Sequence, residues 1–147
     1  MTAYLLDTHV LLWAAQDSPS LGPVVRDIIT NPANDVLISV ASIWEVVIKN
    51  GLGRRDFSVD PVRLREQALH AGFGELPVRA PHVLEVGALP SLHSDPFDRI
   101  LLAQARIEQM VLLTNDVKLL EYGSPAQGCE GNAGRIESPL SVLPRHV

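Results

Sequence analysis

Cysteine occurs once in this chain, so no disulfide can close within it, and neither the number nor the setting of Cys129 suggests a metal cluster. Among Gly and Ser residues, that thiol reads as an idle group in a loop. Positive charge is also scarce: 12 Lys and Arg stand against 17 Asp and Glu, a formal net charge of −5. Proteins that coat nucleic acid regardless of sequence gain most of their affinity by neutralising phosphates, so that class is excluded. Any nucleic-acid contact must be local or bridged by cations. No apolar run approaches the ~20 residues of a bilayer span, which argues against membrane insertion. The first residues, "MTAYLLDTHVLLWAAQ", are apolar but lack a basic start and are interrupted by Asp7, so they do not read as a secretory signal. A cytoplasmic protein is expected, and no internal repeat is found. What remains is an ordinary globular composition, 46% hydrophobic and 20% charged over 147 residues. A single domain of that length buries roughly 70% of the unfolded chain's surface.

Four short apolar runs, each followed by a segment of helical period, predict a parallel α/β sheet. "AYLL" (3–6) precedes "THVLLWAAQ", and "DVLI" (35–38) precedes "SVASIWEVVIKNGLG", with Gly51 as a helix stop. "ELPV" (75–78) precedes "APHVLEVGAL", and "MVLL" (110–113) precedes "NDVKLLEYG". Two more helices open with Pro in the first turn, one after Gly22 and one after Asp60. The expected organisation is a domain over residues 1–123 and a Gly-, Pro- and Ser-rich tail over 124–147 that contributes a fifth, edge strand near its end.

The positions of the acids carry the functional argument. Asp7 ends the first strand and Asp116 lies just past the fourth, while Glu45 and Asp98 fall in the first turns of predicted helices. In an open parallel sheet the C-terminal ends of the strands share one edge, where ligands bind. Four carboxylates are thus aimed at one place. Like charges ~4 Å apart repel by on the order of 1 kcal/mol in water and several times that near a protein surface. Either some are protonated or a cation sits among them. Oxygen donors without a His or Cys pattern favour a hard ion, Mg²⁺ or Mn²⁺. Such an ion suits phosphodiester hydrolysis.

Each acid also has a local reading. Asp7, followed by Thr8, is placed to cap the first helix, although an acid directly after a buried strand needs a partner. "SIWE" from Ser42 fits a capping box in which Glu45 returns to a backbone N–H. Asp95 precedes Pro96 and reads as a structural N-cap. Asp98 then occupies the third helical position, favourable to the helix dipole yet facing the active edge. Asp116 is placed to cap "VKLLEYG".

"YLLDTHVLLW", "ISVASIWEVVIKNGLG", "LHSDPFDRILLAQA" and "LLTNDVKLLEYG", in this order, resemble a PIN-domain protein of the VapC toxin type over about residues 3–123. The resemblance implies a Rossmann-like α/β/α sandwich with a central parallel sheet of four to five strands. It also implies a Mg²⁺- or Mn²⁺-dependent ribonuclease, usually a toxin that is blocked by a small partner antitoxin, and a homodimer. Asp7, Glu45, Asp98 and Asp116 match the family's four acids in turn. Asp7, Asp98 and Asp116 are the expected metal ligands, and Glu45 is a ligand or a base that orients the attacking water.

Thr8 and Thr114 adjoin matched acids and are candidates to hold a carboxylate or a metal-bound water by their hydroxyls. His9 and His93 lack a spaced partner that would make a metal site, so each is read as a helix-end hydrogen bond, with His93 at the cleft rim. Arg99 is expected to pair with Asp95 in preference to phosphate. Trp13 and Trp44 are expected in the core. Lys49, Arg54 and Arg55 are candidates for a basic lip that meets RNA. Two alternatives stand beside this reading: a catalytically silent PIN-fold module that binds a partner, and a haloacid-dehalogenase-type phosphatase. The phosphatase would use Asp7 as nucleophile and needs an acid two positions later, where this chain has His9. The tail departs from the family, whose members usually end soon after a short strand.

Overall fold

The computed structural model describes residues 2–52 and 58–129. Five parallel strands form one sheet: β1 (Ala3–Leu6), β2 (Asp35–Ser39), β3 (Gly74–Leu76), β4 (Val111–Thr114) and β5 (Ala126–Gly128), in the order β3-β2-β1-β4-β5. Between them run α1 (Thr8–Ala15), α2 (Pro23–Thr30), α3 (Val40–Gly51), α4 (Pro61–His70), α5 (Ala80–Val86), α6 (Pro96–Glu108) and α7 (Val117–Leu120). A 3₁₀ turn at Pro19–Leu21 separates α1 from α2. None of the described helices is long and apolar enough to cross a membrane.

The layers follow from the alternation of side chains along the strands. Tyr4 and Leu6, Val36 and Ile38, and Val111 and Leu113 belong to a core packed by α1, α2 and α4. Leu5, Leu37 and Leu112 belong to a second core against α5, α6 and α7. Both faces of the sheet are thus covered, which explains why the strands read as continuous apolar runs. Residues such as Leu5, Leu6, Leu112 and Leu113 are fully buried, and each contributes about 1.5–3 kcal/mol of transfer free energy.

The expected α/β architecture is present, with small shifts: β3 ends before Pro77, which has no N–H to give a ladder. The tail does supply an edge strand, but at its beginning. Ala126 and Gly128 pair with Leu112 and Thr114, just past residue 123. The segment "RIESPLSVL" lies outside the described residues. Cys129, expected in a loop, is buried against Leu6 and its neighbours because β5 carries it into the core.

The strand order has one functional consequence. β2 and β3 extend from one side of β1, β4 and β5 from the other, and the chain leaves β1 towards one face (α1) and β4 towards the opposite face (α7). The crevice opens where neighbouring connections diverge, at the C-terminal ends of β1 and β4.

Candidate functional site

Asp7 and Asp116 flank that crevice. Asp7 extends β1 by one residue, since its N–H donates to the Leu113 carbonyl at 2.9 Å, and it is fully buried. It stands at the N-cap position of α1, yet its side chain makes no capping bond. The carboxylate instead accepts a 2.6 Å hydrogen bond from the Thr114 hydroxyl, whose oxygen accepts the Asp116 N–H at 3.0 Å. Thr114 therefore ties the ends of β1 and β4 together. Thr8 does something else: its hydroxyl donates to Ser42 at 2.9 Å, joining the start of α1 to α3.

Asp95 is the N-cap of α6, accepting from Phe97 N–H at 2.9 Å and from Asp98 N–H at 3.4 Å. Pro96 follows in the first turn, which leaves the Asp98 carboxylate available for the crevice. Asp116 both caps and converges: Oδ1 accepts from Lys118 N–H at 2.9 Å, while Oδ2 lies 3.0 Å from His93 Nε2. The same Nε2 is 2.9 Å from Asp98 Oδ2. Donor atoms of His93, Asp98 and Asp116 all lie within 4.8 Å of one another, and Asp7 and Glu45 are not part of that group. Asp7 reaches it through Thr114.

Glu45 sits midway along α3, not in its first turn. The N-cap is Ser39, which accepts from Ala41 N–H at 2.9 Å, so the capping box expected from Ser42 does not form. Ser42 is one turn inside the helix. Glu45 is buried; Oε2 pairs with Lys49 at 3.0 Å, and Oε1 has no hydrogen-bond partner among the described residues. Lys49, expected on a basic lip, is thereby turned inward, with its side chain 16% exposed. Arg54 and Arg55 lie outside the described residues.

Three further expectations are corrected. Arg99 does not pair with Asp95. Its guanidinium donates to the carbonyls of Val86, Pro90 and His93 and to the Tyr122 hydroxyl, bracing the loop before α6. Trp44 is 60% exposed, packed edge-on to Phe97 with ring centroids 5.0 Å apart, whereas Trp13 is in the core as expected. His93 is not confined to a helix-end contact. Its Nδ1 does accept the Asp95 N–H, at 3.2 Å, but its other nitrogen meets two site acids. No sequence spacing reveals this, because the acids arrive from α6 and from beyond β4. The available signal was the histidine's place just before an N-cap Asp-Pro. His9 is buried in the first turn of α1 with its ring near Trp13.

Asp7, Glu45, Asp98 and Asp116 are all less than a tenth exposed. Burial of several carboxylates at one sheet edge is unfavourable unless donors or cations balance them. The donor set, carboxylate oxygens with one oxygen of Glu45 unbonded among the described residues, fits a hard divalent ion. A cleft of about 440 Å³ lined by His93, Ser94, Arg99 and Lys118 opens beside it. A larger cavity of about 870 Å³ lies between α1, α2 and α4 near the start of β2, away from this chemistry.

Residues 4–124 match the PIN domain. The chain belongs to the PIN-domain family. No curated protein matches it at a significant level. Among solved structures, DNA-bound VapBC from Salmonella typhimurium is similar at 15% identity and TM-score 0.63, over 88% of this chain and 99% of that one. VapBC2 from Rickettsia felis, bound to a promoter DNA fragment, is similar at 17% identity and TM-score 0.61, over 86% and 98%. VapBC-1 from nontypeable Haemophilus influenzae is similar at 18% identity and TM-score 0.59, over 86% and 96%. At such identities the likeness is one of fold, and this PIN domain shares the fold of chains from toxin–antitoxin assemblies.

Proposed function

We propose that this PIN-domain protein is a divalent-metal-dependent endoribonuclease, the toxin of a toxin–antitoxin pair. The observation that carries the reading is the meeting of buried Asp98 and Asp116 at the crevice, with Asp7 joined to them through Thr114. Asp7, Asp98 and Asp116 would hold Mg²⁺ or Mn²⁺. When bound, such an ion lowers the pKa of a water and stabilises charge growing on a phosphoryl group. Thr114 fixes the Asp7 carboxylate by donating to Oδ2. Among the described residues Glu45 Oε1 has no hydrogen-bond partner, which suits a group that accepts a proton from, or orients, an attacking water. Arg99 holds the loop that carries His93 beside these acids.

The proposed substrate is RNA. The proposed partners are a small cognate antitoxin, in keeping with the VapBC assemblies of the similar structures, and a second copy of this chain. The test is induced expression of wild type and Asp7→Asn with and without the adjacent small gene, scoring growth and RNA integrity. Cleavage by wild type, stopped by EDTA and restored by Mn²⁺ or Mg²⁺, is expected, with none from a folded Asp7→Asn. Undiminished cleavage by that variant would reject the mechanism. Tight antitoxin binding without metal binding or cleavage would instead favour a silent partner-binding module.

A further inference from the structure

His93 is grouped by distance with Asp98 and Asp116 as if it were a third ligand, but its other nitrogen argues otherwise. A histidine that binds a metal through one ring nitrogen carries its proton on the other and donates it to a carboxylate, a carbonyl or water. Here Nδ1 faces a donor, the backbone N–H of Asp95 at 3.2 Å, so Nδ1 is bare. The ring proton therefore sits on Nε2, where it points at Asp98 Oδ2 (2.9 Å) and Asp116 Oδ2 (3.0 Å). An N–H aimed at these oxygens occupies the place of a cation. It is also held there firmly. The His93 carbonyl accepts from Arg99 at 3.1 Å, and the same guanidinium and the Tyr122 hydroxyl fasten the Pro90 carbonyl.

We infer that His93 is a built-in stand-in for the metal: its Nε2–H bridges Asp98 and Asp116 in the metal-free protein, and an incoming ion has to displace it. The inference rests on the metal-centre reading of the preceding subsection and adds a positioning residue that sets the affinity of that centre. With the backbone of the loop braced, displacement is a rotation of the imidazole, and the cleft of about 440 Å³ beside His93 leaves room for it. The arrangement offsets the repulsion between the two acids when no ion is bound. It also makes the ion compete with a hydrogen-bond donor, so half-occupancy is reached at a higher free ion concentration than in a bare carboxylate site.

The test uses the full chain, stripped of metal by chelation and dialysis. Nitrogen-15 correlation spectra of the histidine rings are expected to show His93 with its proton on Nε2 and none on Nδ1. Calorimetric titration with Mn²⁺ is expected to give a Kd about tenfold lower for His93→Ala than for wild type, since a hydrogen bond to charged oxygens no longer has to be broken. His93→Gln, which retains an N–H donor, is expected to stay near the wild-type value. Electron paramagnetic resonance of the Mn²⁺ complex is expected to show no coupling to His93 nitrogen. Proton on Nδ1, or weaker or unchanged Mn²⁺ binding by His93→Ala, would overturn the inference while leaving the metal centre intact. Failure of wild type and both variants to bind Mn²⁺ would reject the metal centre, and the inference with it. General structural damage weakens binding, so it cannot imitate the expected gain.

Discussion

His82 and His93 are wired alike and placed in opposite circumstances. His82 lies in the first turn of α5, where Nδ1 accepts the Arg79 N–H at 3.0 Å and Nε2 meets Glu108 Oε2 at 2.8 Å. His93 lies just before α6, accepts the Asp95 N–H through Nδ1, and presents Nε2 to Asp98 and Asp116. Both rings hold a helix start with one nitrogen and a carboxylate with the other. The difference is the number of acids. One donor against one acid, with Glu108 at the surface end of α6, leaves a satisfied pair that pins α5 to α6. One ring nitrogen shared by two buried acids brings like charges together. A histidine–carboxylate contact alone is therefore no sign of a site; the convergence of acids on it is.

The largest expected break between the two is made through their acids. Asp98→Asn is expected to lower the rate of RNA cleavage by at least about a thousandfold, several kcal/mol of lost transition-state stabilisation. Its thermal stability should be maintained, because a buried charge is removed. Glu108→Gln should leave cleavage unchanged and lower the melting temperature. Cleavage assays and thermal denaturation on the same two preparations read both axes; a loss of cleavage in Glu108→Gln equal to that in Asp98→Asn would erase the distinction. Next in size is His82→Ala, which empties a fully buried position and strands Glu108. It is expected to destabilise the protein by about 2–4 kcal/mol in chemical denaturation, with cleavage per folded molecule retained. Thr114→Val should come third. It removes the donor to Asp7 and the acceptor of the Asp116 N–H without touching either acid. A drop in kcat of about ten- to a hundredfold is expected, as for outer partners of ligating carboxylates, with KM for RNA little altered.

The contrast also marks what could be read from sequence. The strands that build the two cores were legible because each is a short apolar run before a helix with a recognisable start, and Asp60, Asp95 and Asp116 do cap those helices. The meeting of Asp98 and Asp116 was legible because a helix start and a strand end are local features that the parallel topology brings to one edge, whereas Asp7 stands outside that group and is tied to it through Thr114. His93 was not legible, since its partners come from separate elements and its own motif points only to the helix cap. α3 misled in two ways for one reason. Its apolar residues cover two faces, and Val40, Trp44, Val47 and Ile48 make up an exposed one. The helical period cannot say which face is turned inward, so Trp44 was expected in the core and Lys49 on the surface, and a capping box stood as the local alternative for Glu45. β5 escaped because "AQG" has no strand propensity; its pairing with β4 is a tertiary effect.

An exposed pair supplies the weak limit of the same comparison. Arg65 on α4 meets the Glu75 carboxylate on β3 with both Nε and Nη2, the second bond at 3.0 Å. The hydrogen bond from Arg65 is the main cause that holds the Glu75 carboxyl below its ordinary value of 4.5, with burial working against it and the guanidinium charge adding to it. A folded-state pKa depressed below the unfolded one contributes stability above the unfolded pKa and loses it as pH falls through the folded one. The contribution should therefore be complete at neutral pH, begin to fade below about 4.5, and vanish in stronger acid. Melting temperatures of wild type and Glu75→Gln measured from pH 7 down to pH 3 should start slightly apart and converge, with a separation far smaller than that caused by His82→Ala, because water screens the pair. Adding salt at pH 7 should shrink the gap further, whereas the effect of His82→Ala, whose ring is wholly buried, should persist. A gap that widened as the pH fell would mean that the ion pair is not what links α4 to β3.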